Sequence, residues 1–451
     1  MRDSDKDTIV AVATGPGEGA IGIVRLSGVG AIQIGDRCFR GKHPLKQTGD
    51  RRIVQGWLNF GGKDVDEVLV SVMRSPRSYT GEDLVEFNCH GGPLLLRRAV
   101  GAFVSAGARR AGRGEFTRRA YLNDRIDLTQ AEAVADLISA RGDLGLQSAF
   151  FQLRGGLRRR FECMAEDLRQ AMTFLEAGLD FSEDVAIDLQ SVLREVSCVR
   201  EEVDGLVSSY RQGKVVREGV RVALAGRPNV GKSSLMNWLL EQDRAIVTEI
   251  PGTTRDTIEE SLSLDGLPLT LVDTAGIRPS KDPVEREGTR RSRLSIDQAE
   301  LVLLVVDGAV CPDEEDARLL GEIRGGAVLV VNKLDLGTHL GWDELANGWP
   351  SVTTSALTGE GMDALKEVIR NETLGEAPCS GEVVTHERHV EALRVTRDVL
   401  HRAECALGER LPGELVAFEI RSALEALGEI VGETTPEDVL DRIFDSFCIG
   451  K

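Results

Sequence analysis

The sequence lacks any apolar run near the ~20 residues that a membrane-spanning helix requires, which argues against a transmembrane protein. Its first seven residues are too polar for a secretory signal peptide, so we expect a cytoplasmic protein without membrane association. The 8 cysteines are scattered without a C-x-x-C pair, which makes a disulfide framework or a zinc site unexpected. A formal net charge of −18 argues against indiscriminate nucleic-acid binding, although a local basic face could still contact RNA.

What the sequence does contain is a phosphate-binding turn. Residues 226–233 read G-R-P-N-V-G-K-S, follow the apolar run 220–225 and precede a helical pattern. Strand, glycine turn and helix are the context in which this motif binds the phosphates of a nucleotide. We expect Lys232 to reach the β- and γ-phosphates and the Ser233 hydroxyl to bind Mg²⁺.

Three later motifs indicate which nucleotide is bound. D-T-A-G at 273–276, N-K-L-D at 332–335 and S-A-L at 355–357 each follow an apolar run that predicts a strand. The first suits the metal's water shell and a γ-phosphate, and the second is the pattern with which GTPases read guanine. The Asp335 carboxylate would accept two ring N–H groups that adenine lacks, and an unpaired buried polar group costs roughly 1–3 kcal/mol. We therefore predict GTP.

The pattern of elements predicts a multidomain α/β plus α protein. A mixed α/β N-terminal domain is expected over residues 1–120. An all-α helical domain is expected in two parts, 121–217 and 376–451, with a Ras-like P-loop GTPase domain inserted between them over 218–375. Helices on both sides of the GTPase domain most simply pack as one bundle, which would carry movement of the nucleotide site elsewhere.

Local patterns place several element boundaries. In the N-terminal domain we predict strands, a hairpin over residues 51–72 and a helix that begins at Pro93. Residues 129–132 fit a capping box with Thr129 as the cap. Residues 212–219 are predicted to form a linker, and Thr435–Pro436 to supply the cap and first residue of a last helix.

Two features of the N-terminal half leave alternatives open. His90, beside Gly91 and Gly92, could be a catalytic base, but a structural role is more ordinary for a histidine next to glycines. A basic cluster could be a solvated face or an anion-binding pocket or groove for a carboxylate or RNA phosphate; it comprises Arg97, Arg98, Arg109, Arg110, Arg113, Arg118, Arg119 and Arg125.

The switch segments are unusual for a GTPase. Ile277 stands where Ras-like proteins have the glutamine that orients the attacking water, and an aliphatic side chain cannot do this. K⁺ bound by the Asn229 amide oxygen would offset the negative charge that develops during hydrolysis. The alternative is that Arg255 supplies this positive charge as an arginine finger. Glu285 could orient the water, or it could be a solvated carboxylate at a helix start. A threonine within 246–256 can complete the Mg²⁺ shell.

Motifs at both ends of the chain resemble one family, MnmE (also called TrmE), the bacterial tRNA-modification GTPases. The resemblance covers nearly all 451 residues, and the end motifs are more specific than the nucleotide motifs. The matching motifs are D-T-I-V-A (7–11), G-I-V-R-L-S-G (22–28), T-G-E-D (80–83), H-G-G (90–92), G-E-F-T (114–117), D-L-T-Q-A-E-A (127–133), G-T-T-R-D (252–256) and F-C-I-G-K (447–451).

The resemblance implies a function that spacing alone does not give. Members of the family work with the FAD protein MnmG (GidA), in a heterotetramer or larger complex, and FAD enters only through that partner. Together they add an aminomethyl-type group to C5 of the wobble uridine of certain tRNAs. A tetrahydrofolate, 5-formyl- or 5,10-methylene-, supplies the one-carbon unit, and the N-terminal domain resembles folate-binding domains and forms a homodimer.

The resemblance also implies site residues. Folate contacts fall on Arg25, Glu86, Arg125 and Lys451, and the family's terminal cysteine on Cys448, whose role stays open. Position 125 is often lysine in relatives, and arginine keeps the charge with a different geometry. K⁺ would be bound by Asn229, Thr248, Ile250 and Thr253, and Mg²⁺ by Ser233 and Thr254. The groups expected to act in hydrolysis are Glu285, Lys232, Asn229 and Thr254.

The full set of implied GTP contacts lies in four motifs. It comprises Asn229, Val230, Gly231, Lys232, Ser233, Ser234, Thr248, Glu249, Ile250, Pro251, Gly252, Thr253, Thr254, Asp273, Thr274, Ala275, Gly276, Asn332, Lys333, Asp335, Ser355, Ala356 and Leu357.

Two functions of other classes remain open. One is a GTP-dependent switch in ribosome assembly, which would need an RNA-binding module that the sequence does not display. The other is a folate-dependent one-carbon transferase with GTP as a regulator only.

Overall fold

The computed structural model describes residues 7–180, 189–243, 259–273, 296–323, 325–339, 341–346, 348–375 and 382–451. The chain divides into two compact units, one made of Met1–Ala135 with Leu427–Lys451 and the other of Asp136–Ala426. Among the described residues, no helix is both long enough and apolar enough to cross a membrane. The four domain boundaries expected from the sequence stay predictions.

The first unit is built on a mixed sheet of seven strands in its described part, in the order β3-β4-β5-β6-β2-β1-β7. Its strands and helices are β1 (Ile9–Val12), β2 (Gly19–Ser27), α1 (Ala31–Arg37), β3 (Phe39–Gly41), β4 (Arg52–Phe60), β5 (Lys63–Met73), β6 (Leu84–Gly91), α2 (Pro93–Ser105), β7 (Arg109–Arg110), α3 (Glu115–Leu122) and α4 (Leu128–Ser139). The last helix, α14 (Glu437–Asp445), also belongs to this unit, whereas α4 continues into the second unit.

One face of this sheet forms the hydrophobic core. Alternate residues of β6, such as Val85 and Phe87, pack with Ile34 of α1 and Phe103 of α2. The residues between them point to the opposite face, because successive side chains of a strand alternate. That opposite face carries exposed apolar side chains, including Leu69, which is 50% exposed. The opposite face is therefore open along β5, but at β1 it is covered by Phe116 of α3.

The second unit contains a six-stranded sheet in its described part, in the order β13-β12-β11-β8-β10-β9. Its elements are α5 (Asp143–Leu153), α6 (Gly156–Asp180), α7 (Leu189–Glu218), β8 (Val220–Ala225), α8 (Lys232–Asp243), β9 (Glu259–Leu264), β10 (Leu267–Asp273), β11 (Leu301–Asp307), α9 (Glu314–Glu322), β12 (Gly326–Asn332), α10 (Gly341–Ala346), β13 (Ser351–Thr353), α11 (Met362–Leu374), α12 (Glu387–Gly408) and α13 (Gly413–Val431). All of its strand pairs are parallel except β9 with β10.

Both faces of this sheet are covered, which explains the continuous apolar runs of its strands. Leu303 and Val305 of β11 pack with residues of α8 and α11, and Leu304 and Val306 pack with residues of α9 and α10. Because parallel strands end at one edge of the sheet, the segments after β8, β10, β12 and β13 share that edge. The α/β core predicted for residues 218–375 is confirmed in its described part.

Helices flank this sheet in sequence. The long helix α7 packs against α6 and α12, with buried valines at helical spacing that include Val192, Val196, Val199 and Val203. The β9–β10 turn contacts the start of α5, where the Leu144 amide donates a 3.1 Å hydrogen bond to the Gly266 carbonyl. A Cβ on Gly142 would lie 2.4 Å from that same carbonyl oxygen, so glycine permits this close approach.

Three boundary predictions were wrong. Residues 212–218 continue α7 rather than forming a linker, and Gly213 serves a close contact: a Cβ there would lie 2.0 Å from the Val384 carbonyl oxygen. The capping box at α4 is formed by Asp127 and Gln130, whose side chains accept each other's backbone N–H groups at 3.0 and 3.1 Å. The carboxylate two residues earlier therefore replaces the Thr129 hydroxyl as the cap.

At the last helix, Pro436 is the N-cap residue and not the first helical residue, because its ψ of 148° is extended. The Thr435 hydroxyl donates to the Glu429 carbonyl at 3.1 Å instead of capping the helix. Other local predictions were confirmed: the 51–72 hairpin is β4 with β5, and α2 begins at Pro93.

Candidate functional site

The phosphate-binding turn lies between β8 and α8, as the sequence predicts. Gly226 has a φ of 138°, and a Cβ on it would lie 2.1 Å from the Val305 carbonyl oxygen. Gly231 has a φ of 101°, and its Cβ would lie 2.2 Å from Asn332 Nδ2. Both positions require glycine, because an L side chain is strained at these φ values and has no space. The turn leads into the N-terminus of α8, where backbone N–H groups favour an anion.

Lys232 is held inside this turn. It is only 4% exposed, and its Nζ donates to the carbonyl oxygens of Gly226 at 2.7 Å and Arg227 at 2.6 Å. Burial lowers the pKa of Lys232, and the nearby Asp273 carboxylate opposes that shift. The ammonium is thus positioned at the mouth of the turn by weak neutral acceptors that an anionic phosphate could replace.

Asn332 links three loops at the same edge of the sheet. It is 2% exposed; its Nδ2 donates to the Val230 carbonyl at 2.9 Å, and its Oδ1 accepts from the Ala356 amide at 3.1 Å. The Asp335 carboxylate accepts a 2.5 Å hydrogen bond from the buried Ser355 hydroxyl. The residues predicted to read guanine are therefore brought together, with Asp335 exposed and oriented by Ser355.

The neighbouring Lys333 has a φ of 66°, which is unusual for a residue other than glycine. Its Nζ forms a 2.6 Å ion pair with Asp307 at the end of β11. Sequence reasoning missed Asp307, because nothing in its spacing links it to the N-K-L-D motif. In retrospect, the only signal was an acidic residue at the end of a strand predicted to lie beside β12.

Several other predicted site residues lie at this edge. Ser233 and Ser234 are exposed at the start of α8, Asn229 is exposed with a φ of 65°, and Asp273 ends β10. Leu357 is 84% exposed. The described residues contain no group of three or more His, Cys, Asp or Glu side chains that could hold a metal.

The switch residues lie outside the described part of the chain. The predictions for Thr248, Glu249, Ile250, Pro251, Gly252, Thr253, Thr254, Thr274, Ala275, Gly276 and Glu285 are therefore not placed, and the same applies to Arg255 and Ile277.

A second candidate site lies in the first unit, on β2 and β6. Arg25 and Glu86 are cross-strand neighbours and form an ion pair, with the Arg25 Nε and Nη2 each 2.8 Å from Glu86 Oε1. Their side chains are 14% and 20% exposed. The guanidinium also lies 5.5 Å from the ring centre of Tyr79 and 5.6 Å from that of Phe116. Cation–π contacts of this kind hold the arginine in one orientation.

Lys451 is close enough to this pair to interact with it. Burial lowers the pKa of the Lys451 ammonium, the Arg25 guanidinium lowers it further, and the Glu86 carboxylate opposes both effects. The Lys451 backbone oxygen accepts a hydrogen bond of 3.2 Å from the Phe116 amide. Two cations and one carboxylate thus meet in a partly buried site with a positive net charge, which favours an anionic ligand.

The other two residues predicted for this site, Arg125 and Cys448, do not join the Arg25–Glu86 ion pair. The Arg125 side chain is exposed and forms no hydrogen bond or ion pair among the described residues. Cys448 is an exposed free cysteine whose carbonyl accepts from the amides of Gly114 and Lys451, both at 3.4 Å. Sequence reasoning assigned no role to Tyr79, which precedes the T-G-E-D motif, or to Phe116, which lies within the G-E-F-T motif.

A buried charge network supports this second site. Arg119 is 3% exposed and donates to the Asp7 carboxylate at 2.7 Å and to Glu82 at 3.2 Å. The Ser27 hydroxyl also donates to Glu82, at 2.7 Å, and Thr117 bonds the Tyr79 hydroxyl at 2.8 Å. Of the basic cluster, Arg119 is thus structural, since both of its terminal nitrogens are bonded by acidic residues of its own unit.

Comparison with known proteins identifies the family of this chain. The family "GTP-binding protein TrmE N-terminus" matches residues 8–125, and "MnmE helical domain" matches residues 128–448. A "tRNA modification GTPase MnmE" of Syntrophotalea carbinolica is 48% identical over 453 residues, covering 99% of each chain. The protein of that name from Aquifex aeolicus is 42% identical over 456 residues, covering 99% of this chain and 100% of its own.

Among solved structures, the G domain of the Thermotoga maritima FeoB iron transporter is 34% identical and covers 34% of this chain and 98% of its own, with a TM-score of 0.27. At that TM-score the likeness adds nothing to the sequence relatives. Full-length identity above 40%, together with both family matches, decides the assignment: the chain belongs to the MnmE (TrmE) family of tRNA modification GTPases.

Proposed function

We propose that this protein is a K⁺-stimulated, homodimeric GTPase of the cytoplasm that acts with the FAD protein MnmG. Together they would add a (carboxymethyl)aminomethyl group to C5 of uridine 34 of certain tRNAs, with a tetrahydrofolate as the one-carbon donor. The observation that carries the proposal is the presence of two separate sites in one chain of this family. One is organised for a guanine nucleotide, and the other is a partly buried cationic site in the unit matched by the family's N-terminal region.

In the nucleotide site, this chain's residues hold and orient the substrate. Lys232 would exchange its two backbone carbonyl partners for phosphate oxygens, which are stronger acceptors because they are charged. The Asp335 carboxylate, oriented by Ser355, would accept the ring N–H groups of guanine. Asn332 holds the phosphate turn and the base loop at fixed spacing, so both ends of the nucleotide are positioned together.

The residues present fit the two cations. The exposed hydroxyl of Ser233, with Asp273 on the same edge, suits Mg²⁺, which prefers oxygen ligands and keeps several waters. The exposed Asn229 amide in the phosphate turn suits K⁺, which would supply the positive charge that an arginine finger gives other GTPases. Thr254 for Mg²⁺, Thr248, Ile250 and Thr253 for K⁺, and Glu285 for orienting water complete the proposal.

The second site fits a folate. Arg25 and Lys451 bring two cationic donors beside one carboxylate acceptor, which suits a ring that carries both hydrogen-bond acceptors and N–H groups. Glu86 can accept N–H groups of an aminopyrimidine ring, and Arg25 is fixed between Tyr79 and Phe116. The folate would supply a one-carbon unit at its ring nitrogens. Arg125 and Cys448 remain proposed contacts of this site.

The decisive experiment is mass spectrometry of wobble nucleosides from cells that lack this protein. We expect the C5 modification to disappear, and to return with the wild-type gene but not with Asp335→Asn or Arg25→Ala. Modified nucleosides that persist, together with defective ribosomal subunits, would instead support an assembly switch and reject the proposal.

The role of potassium has its own test. GTP hydrolysis by the purified protein should be many-fold faster in K⁺ than in Na⁺, and a transition-state mimic with K⁺ should bring two GTPase domains together. Equal rates in the two salts, with Asn229→Ala also unchanged, would remove the cation from the proposal.

A further inference from the structure

A histidine–aspartate pair lies at the other end of the strands that carry Arg25 and Glu86. His90 Nδ1 is 2.6 Å from Asp66 Oδ1, and the His90 backbone N–H donates to Asp66 Oδ2 at 2.9 Å. The Asp66 side chain is 7% exposed, whereas the imidazole is 75% exposed. A buried carboxylate thus holds an exposed ring by one edge, and this bond assigns the proton to Nδ1 and directs Nε2 outward.

The two contacts of Asp66 have different consequences. The regular pairing of β5 with β6 runs from Met73–Leu84 to Leu69–Asn88. Beyond that pairing, the Asp66 carboxylate accepts the backbone N–H of His90. This backbone bond is structural and does not need an imidazole. The bond to the ring adds nothing to the sheet, but it fixes the orientation of His90.

The His90 side chain lies on the open face of the sheet. Glu86, Asn88 and His90 alternate with the core residues Phe87 and Cys89, so their side chains point away from α1 and α2. Asp66 is in phase with the core residues of β5, which explains its burial. Across the strand pair, Arg25 faces Glu86, and Ile21 faces His90. His90 is four positions beyond Glu86, which places the two side chains about 13 Å apart along the strand.

The surface between these two charged ends carries an apolar side chain. Leu69, 50% exposed, lies beside Asn88 in the middle, and the Asn88 amide donates to the Leu69 carbonyl at 3.0 Å. Ile21, 62% exposed, extends the apolar surface beside His90. The strip therefore has a cationic site with a carboxylate at one end, an apolar side chain in the middle and an imidazole at the other end. A reduced pterin joined through a benzoyl group to glutamate has matching chemistry in the same order.

We propose that His90, oriented by Asp66, binds the glutamyl carboxylate of the folate whose pterin ring is held by Glu86. An imidazole that carries a proton on both nitrogens can donate from Nε2 to the ligand carboxylate while Nδ1 donates to Asp66, and both hydrogen bonds are then charge-assisted. This inference rests on the proposed folate function. Arg25 is not needed to bind the glutamyl tail, because its guanidinium is already engaged by Glu86 and two aromatic rings.

The test is titration calorimetry on the full-length protein with two ligands, 5-formyltetrahydrofolate and the same molecule without its glutamate. His90→Gln keeps the backbone N–H that Asp66 binds, so the sheet should be preserved. We expect it to weaken binding of the complete ligand about tenfold, the loss of one charge-assisted hydrogen bond, and to leave the tail-less ligand unchanged. Asp66→Asn should weaken the complete ligand in the same direction.

His43→Gln is the matched control, because His43 is also an exposed histidine of the first unit. Equal binding of the complete ligand by His90→Gln and wild type overturns the inference, as does an equal loss for both ligands. If Arg25→Ala abolishes binding while His90→Gln does not weaken it, the inference alone fails. If the wild-type protein binds neither ligand, the proposed folate function fails as well.

Discussion

The nucleotide site and the Arg25–Glu86 site are assembled in different ways. The nucleotide site is formed by backbone groups and short loops at one edge of a parallel sheet. Each loop is a contiguous stretch of sequence. The Arg25–Glu86 site is made from side chains of β2, β6, α3 and the chain's last residue. The nucleotide site can therefore be recognised in the sequence as motifs, whereas the Arg25–Glu86 site forms only when the strands pair.

The largest expected effect separates the two sites. Lys232→Ala removes the one ammonium buried at the mouth of the phosphate turn among the described residues, so we expect GTP hydrolysis to fall roughly 1,000-fold. Folate binding should be unchanged, because that site lies in the other unit. Steady-state hydrolysis and calorimetry measure the two quantities, with Lys214→Ala, an exposed lysine of α7, as the control. Near-normal hydrolysis would contradict the assignment of Lys232.

A second change tests the base reader. Asp335→Asn replaces two hydrogen-bond acceptors by one acceptor and one donor, so it should lower kcat/KM for GTP about 100-fold and favour XTP. Competition between GTP and XTP in one reaction measures the preference directly. Asp363→Asn, at the start of α11, is a matched control that should leave it unchanged. Retained preference for GTP would mean that Asp335 does not contact the base.

The Arg25–Glu86 site should respond more moderately. Glu86→Gln removes the carboxylate that orients Arg25 and accepts pterin N–H groups, so folate affinity should fall about tenfold. Hydrolysis of GTP without tRNA should stay within about twofold, since the nucleotide site is built from residues of the other unit. Glu67→Gln, an exposed glutamate on the adjacent β5, is the control. A parallel loss of hydrolysis would show that the sites are not independent.

The smallest expected effect concerns stability and pH. Because burial lowers the pKa of Lys451 below its ordinary value of 10.5, the folded protein holds its proton less tightly than the unfolded chain does. This group's contribution therefore disfavours folding at neutral pH and becomes less unfavourable as pH rises through the folded pKa towards 10.5. Without ligand, Lys451→Met should raise Tm by about 1–2 °C at pH 7, a gain that shrinks at higher pH.

The same Lys451→Met variant should bind folate more weakly, which separates a functional cation from a structural one. Thermal melts at several pH values and one calorimetric titration suffice. A Tm lowered at neutral pH, with affinity unchanged, would identify Lys451 as a stabilising residue of the first unit and would contradict its place in the site.

How much could be predicted from sequence follows from this contrast. The strands β8 and β12 and the turn between β8 and α8 were predictable, because apolar runs and glycine spacing are local signals. The pairing of Lys333 with Asp307 was not, since it depends on which strands are neighbours in the sheet. The linker predicted at 212–218 failed because a glycine serving a close tertiary contact looks the same in sequence as one serving flexibility.

In the Arg25–Glu86 site, resemblance named Arg25, Glu86 and Lys451, and the structure shows that they interact. It did not indicate Tyr79 or Phe116, whose rings hold the guanidinium. Aromatic contacts of this kind leave no spacing signature, because the residues come from separate loops and helices. Likewise, the buried partner of His90 became visible only when β5 and β6 were placed side by side.

The β9–β10 turn packs on the first residues of α5, which connects the nucleotide-binding sheet to this helix. In sequence, β9 follows the segment that carries 252–256 and β10 leads into 274–276, so one hairpin lies between the two motifs predicted to contact the γ-phosphate. The tip of that hairpin, at Gly266, contacts Gly142 and Leu144 at the start of α5. A change in the position of the hairpin would therefore reach α5 through a backbone contact that the glycine at position 142 makes possible.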